Sequence, residues 1–147
     1  MYQHILIPTD GSETADKAVE AGIAFAKEAG ARVTLFTAVP EYEVPGEAQI
    51  LSKQVISIAE HNRRSESLAQ GILAPAMHRA RAAGIDFDTD FAQSDHPYRA
   101  IISAAESHGC DAIFMSSHGR SGLSRMWHGS ETEDVLTHSG IPTLVYR

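Results

Sequence analysis

A chain of 147 residues, 43% of them apolar, is the size of one globular domain with its own core, so residues 1–147 are read as a single domain. A formal net charge of −7 argues against bulk binding to nucleic acid or to an anionic membrane surface. No run reaches the ~18 apolar residues that span a bilayer, so no membrane insertion is expected.

Cys110 is the only cysteine and cannot close an internal disulfide, and no charged-then-apolar leader opens the chain. Both features predict a cytoplasmic protein. Preceded by Gly109 and followed by an apolar run, Cys110 reads as a small buried thiol with no chemical role.

His4-Ile-Leu-Ile-Pro8 is a short β-branched run closed by Thr9-Asp-Gly-Ser12, a strand followed by a turn, with Ser12 placed to cap a helix. Ala15, Ala18, Val19, Gly22, Ile23, Ala26 and Ala29 recur at helical spacing up to Gly30. Residues 33–39 form a near-continuous apolar strand, the pattern of a sheet covered on both faces. Within residues 48–83, Leu51, Val55 and Ile58 share one helical face. A longer stripe runs through Ala69, Ile72, Leu73, Ala76, Met77 and Ala80, with Leu68 at its margin. Pro75 should kink that stripe, and whether the region is one bent helix or two stays open.

Phe87, Thr89 and Phe91 alternate with Asp86, Asp88 and Asp90, which predicts a strand near a sheet edge with its acidic face toward water. Asp95-His-Pro97 opens a helix carrying Tyr98, Ile101, Ile102 and Ala105, with proline in the first turn, where its missing donor costs nothing. Residues 112–115 form a buried strand, Val135 and Leu136 lie on a last helix, and residues 143–146 form a final strand. The order βαβαβαβαβ implies an open parallel five-stranded sheet with helices on both faces, a Rossmann-like α/β fold.

Such sheets bind ligands beyond the carboxyl ends of their strands. The rim here consists of Pro8 to Ser12, Ala38 and Val39, Gln93 to His96, and Ser116 to Ser130. The last segment runs from a buried strand to a helix through Ser116, Ser117, His118, Gly119, Arg120, Ser121, Gly122 and Gly129. Its glycines permit close backbone approach, its amides and hydroxyls are donors for phosphate oxygens, and Arg120 and Arg125 supply positive charge. Composition alone supports two readings of equal weight, an oxyanion loop or a surface loop whose helix starts through a Ser130…Glu133 capping box. Glu131, Glu133 and Asp134 place three carboxylates in the first helical turn, near where a triphosphate would sit, and a bridging divalent cation such as Mg or Mn would relieve their repulsion.

No nucleophile elbow or paired acid accompanies His118, which is read as a positional residue, and Met126 and Trp127 are read as core cover. The eight histidines include no i, i+4 pair for a helical metal site. Walker-type G-x4-G-K-[S/T] and the early G-x-G-x-x-G are both absent, so neither a motor ATPase nor a dehydrogenase is expected.

Ile5-Leu-Ile-Pro-Thr-Asp-Gly-Ser12, Asp95-His-Pro-Tyr98, Ser117-His-Gly-Arg120 and Ile141-Pro-Thr-Leu-Val145 together give the chain a resemblance to the universal stress protein family. Its nucleotide-binding members carry G-x2-G-x9-G-[S/T] after the fourth strand, and here that segment reads Ser116-x2-Gly119-x9-Gly129-Ser130. The resemblance implies the strand order 3-2-1-4-5, an adenine nucleotide alpha hydrolase-like fold and an ATP, ADP or AMP ligand. It puts Pro8, Thr9 and Asp10 at the adenosine floor and the backbone of Ala38 beside the adenine. Around the phosphates it puts Ser116, Ser117, His118, Gly119, Arg120, Ser121, Gly122, Gly129, Ser130, Glu131 and Thr132. It also implies a homodimer joined through Pro142, Thr143, Leu144, Val145 and Tyr146, working with a regulatory protein partner.

Ser116 departs from the glycine of the pattern. Either its Cβ tightens the pocket, or the backbone there is extended and accepts any small residue. The expected function is a stress-response sensor or regulatory binder, with no catalytic residue assigned. The alternatives are a nucleotide-independent interaction module and a slow ATPase acting through Asp10 and a metal.

Overall fold

In the computed structural model, which describes residues 1–117 and 130–147, the chain alternates strands and helices. The elements are β1 (His4–Pro8), α1 (Glu13–Ala29), β2 (Arg32–Val39), α2 (Glu47–Leu51), α3 (Ile58–Ala83), β3 (Phe87–Gln93), α4 (Pro97–Ser107), β4 (Ala112–Ser116), α5 (Ser130–His138) and β5 (Thr143–Tyr146). The five strands form one sheet in the order β3-β2-β1-β4-β5, every neighbouring pair parallel.

Side-chain alternation along the strands divides the core in two. Ile5 and Ile7 of β1, with Val33 and Leu35 of β2, pack under α1 and α3 against Val19, Ile23, Leu73 and Ala80. Leu6, Phe36, Ile113 and Met115 turn to the other face and meet Ile101, Ala105 and Val135 from α4 and α5. Ser12 caps α1 by accepting from the Ala15 amide at 3.1 Å, and the helix ends at Gly30, both as expected. Arg79 of α3 reaches back to α1, donating through Nε and Nη2 to the two carboxylate oxygens of Asp16 at 3.2 and 2.7 Å.

One open question is settled and one expectation is corrected. Residues 48–83 hold two helices, but the break falls at 52–57 and not at Pro75, which α3 carries in its interior. α3 is held by what it buries, since Ser65, Ala69, Leu73, Ala76 and Ala80 form one inward stripe on both sides of the proline. Leu51, Val55 and Ile58 do not share a buried face, being 77%, 44% and 62% exposed. β3 lies at the sheet edge as expected, and Asp88 and Asp90 on it, with side chains 41% and 45% exposed, are also tied back to the sheet. The buried Thr34 hydroxyl accepts from His4 Nε2 at 2.7 Å and donates to Asp88 at 2.5 Å, and His108 Nε2 lies 2.8 Å from Asp90. Burial, helped by Arg32, holds the His4 imidazole below its ordinary value, so it stays neutral at pH 7 and gives its one ring hydrogen to Thr34.

Cys110 packs in the α4/α5 core at 6% exposure, and burial pushes its thiol up to about 11. A thiol with so little thiolate at neutral pH is a poor nucleophile. Native protein is therefore expected to react with a thiol reagent only as fast as the core opens, and fully once denatured. Rapid stoichiometric labelling of the folded chain would contradict the packing described.

Candidate functional site

The site forms where the strand ladders end. β1 and β4 pair only at Ile5↔Ala112 and Leu6↔Ile113, although β1 runs on to Pro8 and β4 to Ser116. Beyond those pairs the two central strands part at their carboxyl ends. The helices that follow them, α1 and α5, pack on opposite faces of the sheet. A crevice at such a switch point is where open α/β sheets hold their ligands.

The β1 side of the crevice is a rigid turn. Pro8 is buried at the strand end, and the Thr9 amide donates to the Phe36 carbonyl at 2.9 Å. The Thr9 hydroxyl accepts from the Gly11 amide at 3.1 Å, and Asp10 Oδ1 accepts from the Ser12 amide at 2.9 Å. Gly11 has φ +79°, a left-handed conformation that a side chain would strain. The turn thus holds a carboxylate that is only 6% exposed, that of Asp10, at the carboxyl end of the central strand.

Ala38 lies one strand over. The Phe36 carbonyl points to β1, where Thr9 reaches it, and the Val39 carbonyl points to β3, where it accepts from the Ser94 amide at 2.7 Å. Backbone groups alternate sides along a strand. The amide and carbonyl of Ala38 therefore face the β1 side, just past the last β1–β2 pair at Pro8↔Phe36. From the β3–α4 part of the rim, Asp95 Oδ1 accepts from the Glu41 amide at 3.1 Å and holds the chain that leaves β2.

Opposite stand the end of β4 and the start of α5. Ser116 is the last residue of β4, paired with Tyr146, and Ser117 continues the ladder by donating to the Tyr146 carbonyl at 2.8 Å. Extended backbone at Ser116 makes no demand for glycine. Thr132, 8% exposed, donates from Oγ1 to the Ser116 carbonyl at 2.7 Å, tying the first turn of α5 to the end of β4. Ser130 is the first described residue of α5 and is exposed, and the residue before it lies outside the described residues. Glu131 Oε2 accepts from the Tyr98 amide at 2.7 Å and so serves the start of α4, whose own cap residue, His96, offers no side-chain bond. His118, Gly119, Arg120, Ser121, Gly122, Arg125, Met126, Trp127 and Gly129 lie outside the described residues.

Two features of the site have no counterpart in the sequence reading. One is Glu131 as a cap for a different helix; the bare Asp95-His-Pro97 start of α4 was its only signal. The other is a cleft of about 980 Å³ on the α3 side of the β1 turn, between Asp10, Ser12 and Glu13, Pro40, and the Arg64, Leu68, Ile72 and Pro75 stripe of α3. The turn sits directly on this helix, since a Cβ built at Gly11 would lie 3.5 Å from Ile72. Arg64 is held at the rim by Glu60 at 2.9 Å. Among the described residues no group of three or more His, Cys, Asp and Glu side chains is placed to hold a metal ion. No helix there is long and apolar enough to cross a membrane.

The outer edge of the sheet next to β4 is β5, with Val145 37% and Tyr146 41% exposed, while the Pro142 carbonyl accepts from Ile113 at 2.9 Å.

Comparison with known proteins agrees with this architecture. Universal stress protein MJ0577 of Methanocaldococcus jannaschii is 29% identical over 157 residues, covering 100% of this chain and 96% of that protein. The solved structure of MJ0577 superposes with a TM-score of 0.73 over 99% of this chain and 95% of that one. A universal stress protein solved in complex with cAMP is 24% identical with a TM-score of 0.69, covering 99% and 97% of the two chains. One from Archaeoglobus fulgidus in complex with dAMP is 17% identical with a TM-score of 0.66, covering 99% and 98%. The sequence profile of the universal stress protein family matches residues 1–147, and the chain belongs to that family.

Proposed function

We propose that this chain binds an adenine nucleotide in the crevice between β1 and β4 and acts as a regulatory binder in the stress response. The observation that carries the reading is the parting of β1 and β4 beside the buried Asp10 carboxylate and the outward backbone edge of Ala38. A carboxylate suits the ribose hydroxyls, and a strand edge that offers one N–H and one C=O suits the base edge. Pro8 and Thr9 complete the floor. Phosphates fall to the segment between Ser116 and Thr132, with Ser117, His118, Gly119, Arg120, Ser121, Gly122, Gly129 and Ser130 around them. Two structural neighbours were solved with adenine nucleotides, cAMP and dAMP, which supports the same ligand class here.

Among the described residues the donor set does not fit a resident metal, because no three His, Cys, Asp or Glu side chains gather there and Glu131 is bonded to α4. Mg or Mn enters this reading only as a companion of the nucleotide, and no step depends on it. Binding rather than turnover is the function proposed here, with slow ATP hydrolysis as the alternative. The β5 edge is the proposed homodimer face, through Pro142, Thr143, Leu144, Val145 and Tyr146, since an edge strand leaves a row of backbone groups for a second copy. A protein partner reads the bound state.

Asp10→Ala is expected to weaken nucleotide binding by about tenfold or more, the worth of hydrogen bonds to a charged group. Asp10→Asn keeps an oxygen for the Ser12 amide and separates the turn from the charge. Calorimetric titration checks both variants. Affinity unchanged in both would remove Asp10 from the site.

A further inference from the structure

The chain that leaves β2 crosses to α3 as a strap, residues 40–57, and this strap turns apolar side chains to water. Every residue of its helix, α2, is exposed. Ile50 and Leu51 on that helix are 60% and 77% exposed, and Val44, just ahead of it, is 84% exposed. A helix this short does not hold on its own and takes its stability from the surface it packs on. Among the described residues, neither core cluster takes in a residue of α2. Large apolar side chains gathered in water mark a surface built for contact.

The strap is nonetheless held in shape. Asp95 fixes the Glu41 amide at its start, and the Tyr42 hydroxyl donates to the Ile56 carbonyl at 2.9 Å, joining the two limbs. The Tyr42 ring meets His61 of α3 edge-on, with ring centroids 5.4 Å apart. A surface fixed beforehand loses little freedom on binding.

Charge selects the occupant. The strap carries Glu41, Glu43 and Glu47 against the single cation Lys53. Between it and the start of α3 lies a hollow of about 370 Å³ lined by Glu41, Glu43, Gln49 and Gln54, with Arg64 on the helix side already bonded to Glu60 at 2.9 Å. Carboxylates and side-chain carbonyls are acceptors that suit an ammonium or guanidinium group. The same carboxylates repel an anionic membrane, and a second copy of a chain of net charge −7 brings like charge. The proposed homodimer strand, β5, ends one side of the sheet, whereas β2 lies next to the other end, so the strap stays open in such a dimer.

We propose that the strap is a docking face for a cationic amphipathic segment of a partner protein. The apolar side of that segment packs on Val44, Ile50 and Leu51, and a Lys or Arg side chain enters the hollow lined by Glu41 and Glu43. Docking uses no crevice side chain, so the inference stands apart from the nucleotide reading and gives the protein partner a face and a chemistry.

The test titrates a fluorescent helical peptide of leucine and lysine, with one apolar and one cationic face, into the nucleotide-free full chain at physiological salt. Anisotropy reports binding, and a leucine–glutamate peptide of the same pattern is the control. Wild type is expected to bind the first peptide and not the second. Ile50→Ser with Leu51→Ser is expected to weaken binding by about tenfold or more, and Glu41→Lys with Glu43→Lys by a similar factor. All four positions are exposed, so these variants should melt close to wild type, and melting temperatures check this. Glu28→Lys with Glu106→Lys makes the same change in net charge at exposed positions on α1 and α4, and is expected to leave affinity within about twofold. Equal losses in the two lysine pairs would reduce the binding to net charge and overturn the inference. Affinity untouched by the serine pair, or no binding by wild type, overturns it as well. So does binding to phosphatidylserine vesicles, or self-association, that the serine pair abolishes, since each shows a different occupant. All these measurements are made without nucleotide, so their failure leaves the nucleotide reading standing.

Discussion

Gly22→Val is expected to destabilise the chain by about 3 kcal/mol, the upper part of the range for overpacking a core. Gly22 is buried in the middle of α1, where the helix crosses the sheet. A Cβ there would come 2.8 Å from Ile7 Cδ1 and 3.0 Å from Phe114 Cδ1. Both neighbours are buried, Ile7 at 0% and Phe114 at 7% exposure, so neither can swing into solvent, and valine adds two methyls beyond the first clash. Its better helix propensity recovers only a few tenths of a kcal/mol. Since domains of this size are stable by about 5–15 kcal/mol, a loss of this size should be plain in a denaturant midpoint. Wild-type stability in the variant would mean that α1 does not lie as close to β1 and β4 as described.

Thr132→Val is expected to cost about 1–3 kcal/mol and to lower nucleotide affinity as well. Valine matches threonine in shape but lacks the hydroxyl that donates to the Ser116 carbonyl at 2.7 Å. The part-buried carbonyl is then left without that donor, and such a penalty exceeds the net worth of the bond itself. The bond joins the end of β4 to the first turn of α5, the two anchors of the proposed phosphate segment. Losing it should loosen that segment beyond what global stability reports. Denaturant unfolding and calorimetric titration on one preparation separate the two effects. A variant with full stability and full affinity would show that this tie does neither job.

Much of the fold is legible in local chemistry, and the places where reading fails are physically specific. The period-two pattern of Ile5, Leu6 and Ile7 places successive residues on opposite cores, and Ser12 caps α1 where a turn meets an amphipathic stripe. Pro75 misleads because propensity is a weak prior beside burial. The inward stripe of α3 keeps the helix whole through the proline. The true break at 52–57 lacks glycine or proline, and Lys53 takes the left-handed conformation at φ 59°. A signal for it was present in Ser57-Ile-Ala-Glu60, the spacing of a helix start, and Ser57 does accept from the Glu60 amide at 3.1 Å.

The site is legible in a different measure. Asp10 and the strand ends follow from the alternation of elements and the rule for ligand sites on open sheets. The acidic first turn of α5, by contrast, looked like repulsion for a phosphate. Composition cannot show that Glu131 is bonded to the start of α4, because that contact depends on how two helices lie across 33 residues of sequence. Nor can it show the cleft on α3, which exists only where the β1 turn settles on Ile72.

The most direct test of the central claim is a calorimetric titration of the chain with AMP, ADP and ATP, each with and without magnesium, paired with thermal unfolding in the same solutions. Binding in the crevice predicts a saturable heat with one nucleotide per chain and a melting temperature that rises with nucleotide concentration. No heat and no thermal shift at millimolar nucleotide would contradict it, and would leave the chain as an interaction module that keeps the family fold without the ligand.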